Sequence, residues 1–247
     1  MSESALPRPV ATGIIAALLA CAAAAWLVTA LQAASMTAMG GMAMVGGGPF
    51  LATWVVMTVA MMFPAVAPTV LTRAAVVRSR GEGTLGTVAF VVGYLAVWTA
   101  AGLVALGTIQ LLGSPIAGPV TSWVPRLSGA IVVLAGVYQL TPLNHACLRA
   151  CRSRLGFTPS HDFGVGAPAA ARNGLSHGLH CVGSCGALMA VLAVLGLMNL
   201  AGMAVVAAAF FLEKSWRHGV RLPYVAGAAC LILGLTVIIR PDIIHPL

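Results

Sequence analysis

The sequence predicts an all-α fold: a polytopic transmembrane helical bundle of about seven spans, with six spans plus a re-entrant or half-helix as the alternative. Two observations carry that expectation. Of 247 residues, 60% are hydrophobic and 7% charged, against roughly 45–50% apolar and 25% charged in a soluble domain. The apolar residues also fall in long runs, and at about 20 residues per crossing their total suffices for six or seven spans. The intervening stretches are too short to build a second core, so residues 1–247 read as a single integral membrane domain.

The first run, about 10–32, is preceded by one arginine, Arg8, and exceeds the roughly 7–15 apolar residues of a signal-peptide core, which makes it a retained span. Further spans are expected at about 50–72, 84–112, 124–143, 176–195, 197–213 and 222–240. Basic residues set their direction. Arg73, Arg78 and Arg80 follow the second span, Arg149, Arg152, Arg154 and Arg172 follow the fourth, and Lys214, Arg217 and Arg221 precede the last, whereas 33–49 and 113–123 hold neither Lys nor Arg. The positive-inside rule then places the N-terminus, 73–83 and 144–175 in the cytoplasm. Two short passes across 176–213 keep Lys214, Arg217 and Arg221 on that same side. A break near Gly196 to Gly202 accommodates the turn, with Asn199 available to bond the interrupted backbone.

Composition also excludes classes. The net charge of +8 comes from twelve Arg and one Lys against five acids, and in so apolar a chain this serves topology rather than nucleic-acid binding. The six cysteines lie in or beside apolar segments, unlike a secreted disulfide framework. No phosphate-binding loop, dinucleotide fingerprint or hydrolase motif is present, so the chain is not expected to be an enzyme.

Soft metal ligands remain. His177, Cys181 and Cys185 recur every four residues, one face of a helix, with His180 beside Cys181. Imidazole and thiolate suit reduced copper or zinc, and polar groups at membrane depth call for a reason. Cys147 and Cys151 repeat the spacing at the end of the fourth span, with His145 next to them and Arg149 and Arg152 favouring the thiolate. Such pairs share a metal more readily than they bridge, because Cβ atoms about 5–6 Å apart on a helix exceed the roughly 3.5–4.5 Å of a disulfide. Met57, Met61 and Met62 crowd one turn of the second span, and Met36, Met39, Met42 and Met44 punctuate the outer segment. Thioethers select Cu(I) over hard ions. Glu213, four residues before Arg217, reads as an ordinary helix-end pair.

Three segments together resemble the bacterial family catalogued as domain of unknown function 2182, described as predicted metal-binding integral membrane proteins. They are Met57-Thr-Val-Ala-Met61-Met62-Phe63-Pro64, Tyr138 through Pro142 to Cys147, Cys151 and Arg152, and His177 to Met189, followed by Met198-Asn199 and Glu213-Lys214. The resemblance implies a bacterial inner-membrane protein with a metal role. It departs at Asn144, where a lysine is expected in many members, and at Ser184, where a further cysteine is expected. His180-Cys181-Val-Gly-Ser-Cys185-Gly is also similar to a short motif of heavy-metal and cytochrome c biogenesis membrane proteins.

The expected function is metal handling in the membrane, foremost translocation of copper through Met, Cys and His sites. Zinc is the other cargo, and the expected partners are the lipid bilayer, the ion, a metallochaperone or further membrane subunits. A transmembrane thiol–disulfide electron carrier and a subunit or assembly factor with a structural metal are the competing classes.

Overall fold

The computed structural model of the chain describes residues 6–38, 47–79, 84–116, 124–152, 166–195 and 199–240. Among them are eight α-helices and no strand: α1 Arg8–Ala38, α2 Gly47–Ser79, α3 Leu85–Ile116, α4 Val124–Gln139, α5 Pro142–Arg152, α6 Ala167–Leu195, α7 Leu200–Ser215 and α8 Leu222–Ile239, with a short 3-10 turn at Gly219–Arg221. The all-α bundle is the observed fold.

Five helices, α1, α2, α3, α6 and α8, are long and apolar enough to cross a membrane, and α4 with α5, bent by 64° at their junction, makes a sixth candidate. The 16 residues of α7 extend only about 24 Å at 1.5 Å per residue, short of a ~30 Å hydrocarbon core. The count among the described residues is therefore five candidate spans, or six if α4 and α5 together make one, rather than seven. Asn199 starts α7, its Oδ1 accepting from the Gly202 N–H at 2.9 Å. The preceding helix is longer than the sequence suggests: α6 begins at Ala167, after Gly166 at φ +94°, a left-handed conformation glycine adopts without steric cost. Exposed Arg172 does not interrupt it.

Helix α2 carries Pro64 and Pro68 in its interior. A proline lacks the N–H that would bond the carbonyl four residues earlier, so Pro64 leaves the Ala60 carbonyl without its helical donor. Trp26 of α1 supplies one, its indole Nε1 donating to Ala60 O at 3.1 Å. A second indole ties α2 to α3, where Trp54 Nε1 donates to Trp98 O at 2.9 Å. These indoles fasten three long helices side by side.

Glycine sets the closest approaches. The most extensive helix pairs are α3 with α6 and α4 with α8. In the first, Gly93 lies against the Ala171 carbonyl and Gly174 against the Phe90 carbonyl. In the second, Gly129 faces Gly234 and Gly136 faces Gly227, each within 3.0 Å of the opposing carbonyl when a Cβ is added. Small residues let backbones touch in this way. Gly174 packs on Phe90 and, one turn on, Gly178 on Val97, so α3 and α6 run parallel, whereas α4 and α8 run antiparallel. Side chains of α2, α3, α6 and α7 enclose one contiguous buried cluster that contains Met57, Met61, Met62, Tyr94, Cys181 and Cys185.

Candidate metal centre

Cys181 is the middle residue of the 29-residue α6, and it and Cys185 are fully buried at 0% exposure. Helical spacing stacks the two thiols on one face, within hydrogen-bonding reach of each other. The parallel packing of α3 delivers Tyr94, whose hydroxyl lies 3.2 Å from Cys181 Sγ. The turn between α6 and α7 delivers Lys214, whose Nζ donates to the same sulfur at 2.9 Å. Near the turn Gly202 faces Leu192, so α6 and α7 form an antiparallel hairpin that sets Lys214 opposite Cys181.

The third thiol arrives on α5. The sequence places Cys147 and Cys151 apart from the α6 pair, at a membrane edge. The 64° bend instead folds α5 back against the centre of α6. There Cys151 comes near Cys181, and its Sγ is 3.8 Å from Ser184 Oγ. Ser184 Oγ is also 3.5 Å from Cys185 Sγ and donates to Cys181 O at 3.1 Å. Two thiols from two helices thus flank one serine hydroxyl, which also bonds the backbone of Cys181.

The remaining candidates divide by face. His177, buried one turn before Cys181, has its ring between Phe90 and Tyr94, with centroids 6.0 and 5.9 Å away. His180 does not join the cluster. One position from Cys181 is about 100° around the helix, and His180 is exposed there with its Nδ1 2.8 Å from Ser176 O. Cys147 faces Gly183, where an added Cβ would come within 2.6 Å of its Sγ. His145 lies two positions from Cys147, on the other side of α5, and stacks on Tyr224 of α8 at 4.5 Å. Met57, Met61 and Met62 are buried in the same contiguous cluster as the thiols. Met39, Met42, Met44 and Met198 lie outside the described residues, as does the side chain of Met36.

The helix-end reading of Glu213 gives way to a different arrangement. Glu213 is 1% exposed, its Oε1 has no hydrogen-bond partner among the described residues, and Arg217 is exposed. Arg152 caps the end of α7 in its place, its guanidinium donating to the carbonyl of Glu213 and, at 2.7 Å, to that of Trp216. This clamp lies one residue from Cys151 and so fixes the thiol relative to α7.

Tyr94, Ser184 and Lys214 are the side chains around the thiols that spacing arguments overlooked. Lys214 did carry a signal: it is the one lysine in a chain that uses arginine at its other basic positions. Met189 and Met203 add two thioethers to the buried cluster. They sit on α6 and α7, where single methionines are ordinary core filling.

Chemically the cluster offers soft sulfur donors, one ammonium and, on the neighbouring residue, the one carboxylate among the described residues. Among the described residues no three His, Cys, Asp or Glu side chains yet stand in a geometry that encloses a metal ion. Lys214 Nζ instead takes up one bonding position of Cys181. No curated protein and no solved structure matches the chain. Residues 51–237, more than half of its length and including every described side chain of the cluster, match the family PpoB2, described as copper chaperone, and the chain belongs to that family.

Proposed function

We propose that the chain takes Cu(I) as cargo on Cys151, Cys181 and Cys185 within the membrane and hands it on through sulfur ligands. The observation that carries this reading is the meeting of Cys151 of α5 with Cys185 of α6 at the Ser184 hydroxyl, one turn from buried Cys181. Three sulfur donors form a low-coordinate soft site, which favours Cu(I) over zinc; zinc prefers a closed set of four. Lys214 holds the place of a cation in the empty site and withdraws when copper enters. Net charge in the cavity then changes less than if a bare ion were added to neutral surroundings.

Met57, Met61 and Met62 act as the thioether approach to the thiols, consistent with their shared buried cluster. Cys147, one turn from Cys151 and half-buried, acts as the departure ligand on the opposite side. His177 steadies the cluster through Tyr94 rather than binding metal. In this reading the protein lies in a bacterial inner membrane with its N-terminus in the cytoplasm, following the distribution of arginine. A soluble metallochaperone or another membrane subunit is the partner that delivers or accepts the ion.

The test is copper stoichiometry of the full chain purified in mild detergent under reducing conditions, by elemental analysis and by competition with a Cu(I) chelator. Near one copper per chain is expected, falling to background in Cys181→Ser and in Cys151→Ser. Unchanged copper in both variants would falsify the assignment. The approach of Cys151 to Cys181 also favours a second reading, a thiol–disulfide electron carrier. It predicts two fewer titratable thiols after mild oxidation and no copper on the reduced protein.

A further inference from the structure

Helix α5 has a second face that the thiol cluster does not use. On it His145 and Arg149, one turn apart, meet Arg221 of the 3-10 turn and Tyr224 of α8 around an open cleft of about 470 Å³. Both arginines are exposed, and neither has a carboxylate partner among the described residues. His145 Nε2 is shielded from solvent and has no hydrogen-bond partner there. The cleft therefore gathers two uncompensated guanidinium groups, a combination suited to phosphate oxygens.

Its rim is apolar. Leu140 and Val220 line the cleft, and Leu143 stands 61% exposed on the neighbouring turn of α5. A helix bent 64° from its predecessor, with basic side chains beside exposed leucine, has the character of a helix lying in a membrane interface. A free anion gains nothing from such a rim, whereas the glycerol and upper acyl segments of a lipid do.

We propose that this cleft is a binding site for the phosphate headgroup of an anionic phospholipid. Arg149 and Arg221 embrace the phosphate from two elements, and Leu140 and Val220 receive the glycerol end. His145, stacked on Tyr224, supports the wall between them. The site does not depend on the copper reading, and its test reads no metal.

The experiment is native mass spectrometry of the full chain equilibrated in mixed micelles holding equal amounts of phosphatidylglycerol and phosphatidylcholine. With about 1 kcal/mol per basic residue near an anionic surface, two arginines predict retention of phosphatidylglycerol over phosphatidylcholine by roughly tenfold or more. Arg149→Gln with Arg221→Gln brings the ratio near unity, while Arg126→Gln with Arg240→Gln, at the opposite ends of α4 and α8, leaves it intact. Millimolar inorganic phosphate does not displace the lipid. Equal retention of the two lipids by the wild type overturns the proposal, as does an equal loss in the two double variants. Displacement by phosphate overturns the lipid source and assigns the cleft to a soluble anion. Should the Arg149, Arg221 double variant not express, Arg149→Gln alone must lower the ratio while Arg149→Lys keeps most of it; any other pattern counts against the site.

Discussion

Lys214 Nζ donates to Cys181 Sγ at 2.9 Å across the α6–α7 hairpin. An ammonium in that position neutralises a thiolate without closing off the other two sulfurs, so it competes with a metal cation for one ligand rather than for the whole site.

Replacement of this lysine separates competition from support. Two unit charges about 5 Å apart at an effective dielectric near 20 repel by roughly 3 kcal/mol, so Lys214→Met is expected to tighten Cu(I) binding by at least about tenfold. Chelator competition measures it. Weaker binding in the variant would show that Lys214 holds the thiols open for copper instead of standing in for it.

Ser184 lies between Cys151 Sγ and Cys185 Sγ, at the position where the resemblance leads one to expect a further cysteine. Ser184→Cys adds a fourth sulfur at the same point. The variant is expected to bind zinc as well as copper, because a fourth thiolate completes a tetrahedral set, whereas the wild type keeps its preference for Cu(I). Competition between the two ions on each protein decides it.

Gly183 is the closest point between α5 and α6, since an added Cβ would lie 2.6 Å from Cys147 Sγ. Gly183→Ala is expected to cost about 1–3 kcal/mol by overpacking. Adding Cys147→Ala should recover most of the loss in detergent melting temperature. Tyr138 of α4, whose hydroxyl donates to Gly183 O at 2.7 Å, reports on the neighbouring α4–α6 contact: its removal weakens that contact without steric relief by Cys147→Ala.

The bond from Trp26 to Ala60 O is predicted to matter because Pro64 stands four residues on. Trp26→Phe leaves a buried carbonyl unpaired, at a cost of roughly 1–3 kcal/mol. With Pro64→Ala the helix supplies its own N–H, and Trp26→Phe should then cost clearly less. Additive losses in the double-mutant cycle would show that the indole contributes packing alone.

Much of this was legible in the chain. Low charge and long apolar runs led to an all-α bundle, whereas Arg73, Arg78, Arg149, Arg152 and Arg172, read as marking the gaps between spans, lie within helices. Asn199 was recognisable as the residue that starts the helix after the break, because its side chain has a use only where the backbone is interrupted. The four-residue spacing aligned Cys181 with Cys185. It could not show that Cys151 joins them, since that depends on the 64° bend after α4, which brings a segment 30 residues earlier in the chain onto the middle of α6. His180 and His145 stand apart from the thiols for the converse reason: residues one or two positions from a cysteine on a helix point to other faces of it. The count of spans was overestimated by α7, whose apolarity matches a full span and whose length does not.

Arg152 has one further implication. The residue before it supplies a thiol, and its own guanidinium grips the carbonyls that end α7, immediately ahead of the turn that carries Arg221. Displacing Cys151 therefore pulls on the segment that shapes the lipid cleft, and occupancy of the cleft pulls back. Thermodynamic linkage makes the two effects equal: whatever factor an anionic lipid imposes on copper affinity, copper imposes on lipid affinity. With both proposals in force, the composition of the surrounding bilayer would become a setting on how tightly the cargo is held.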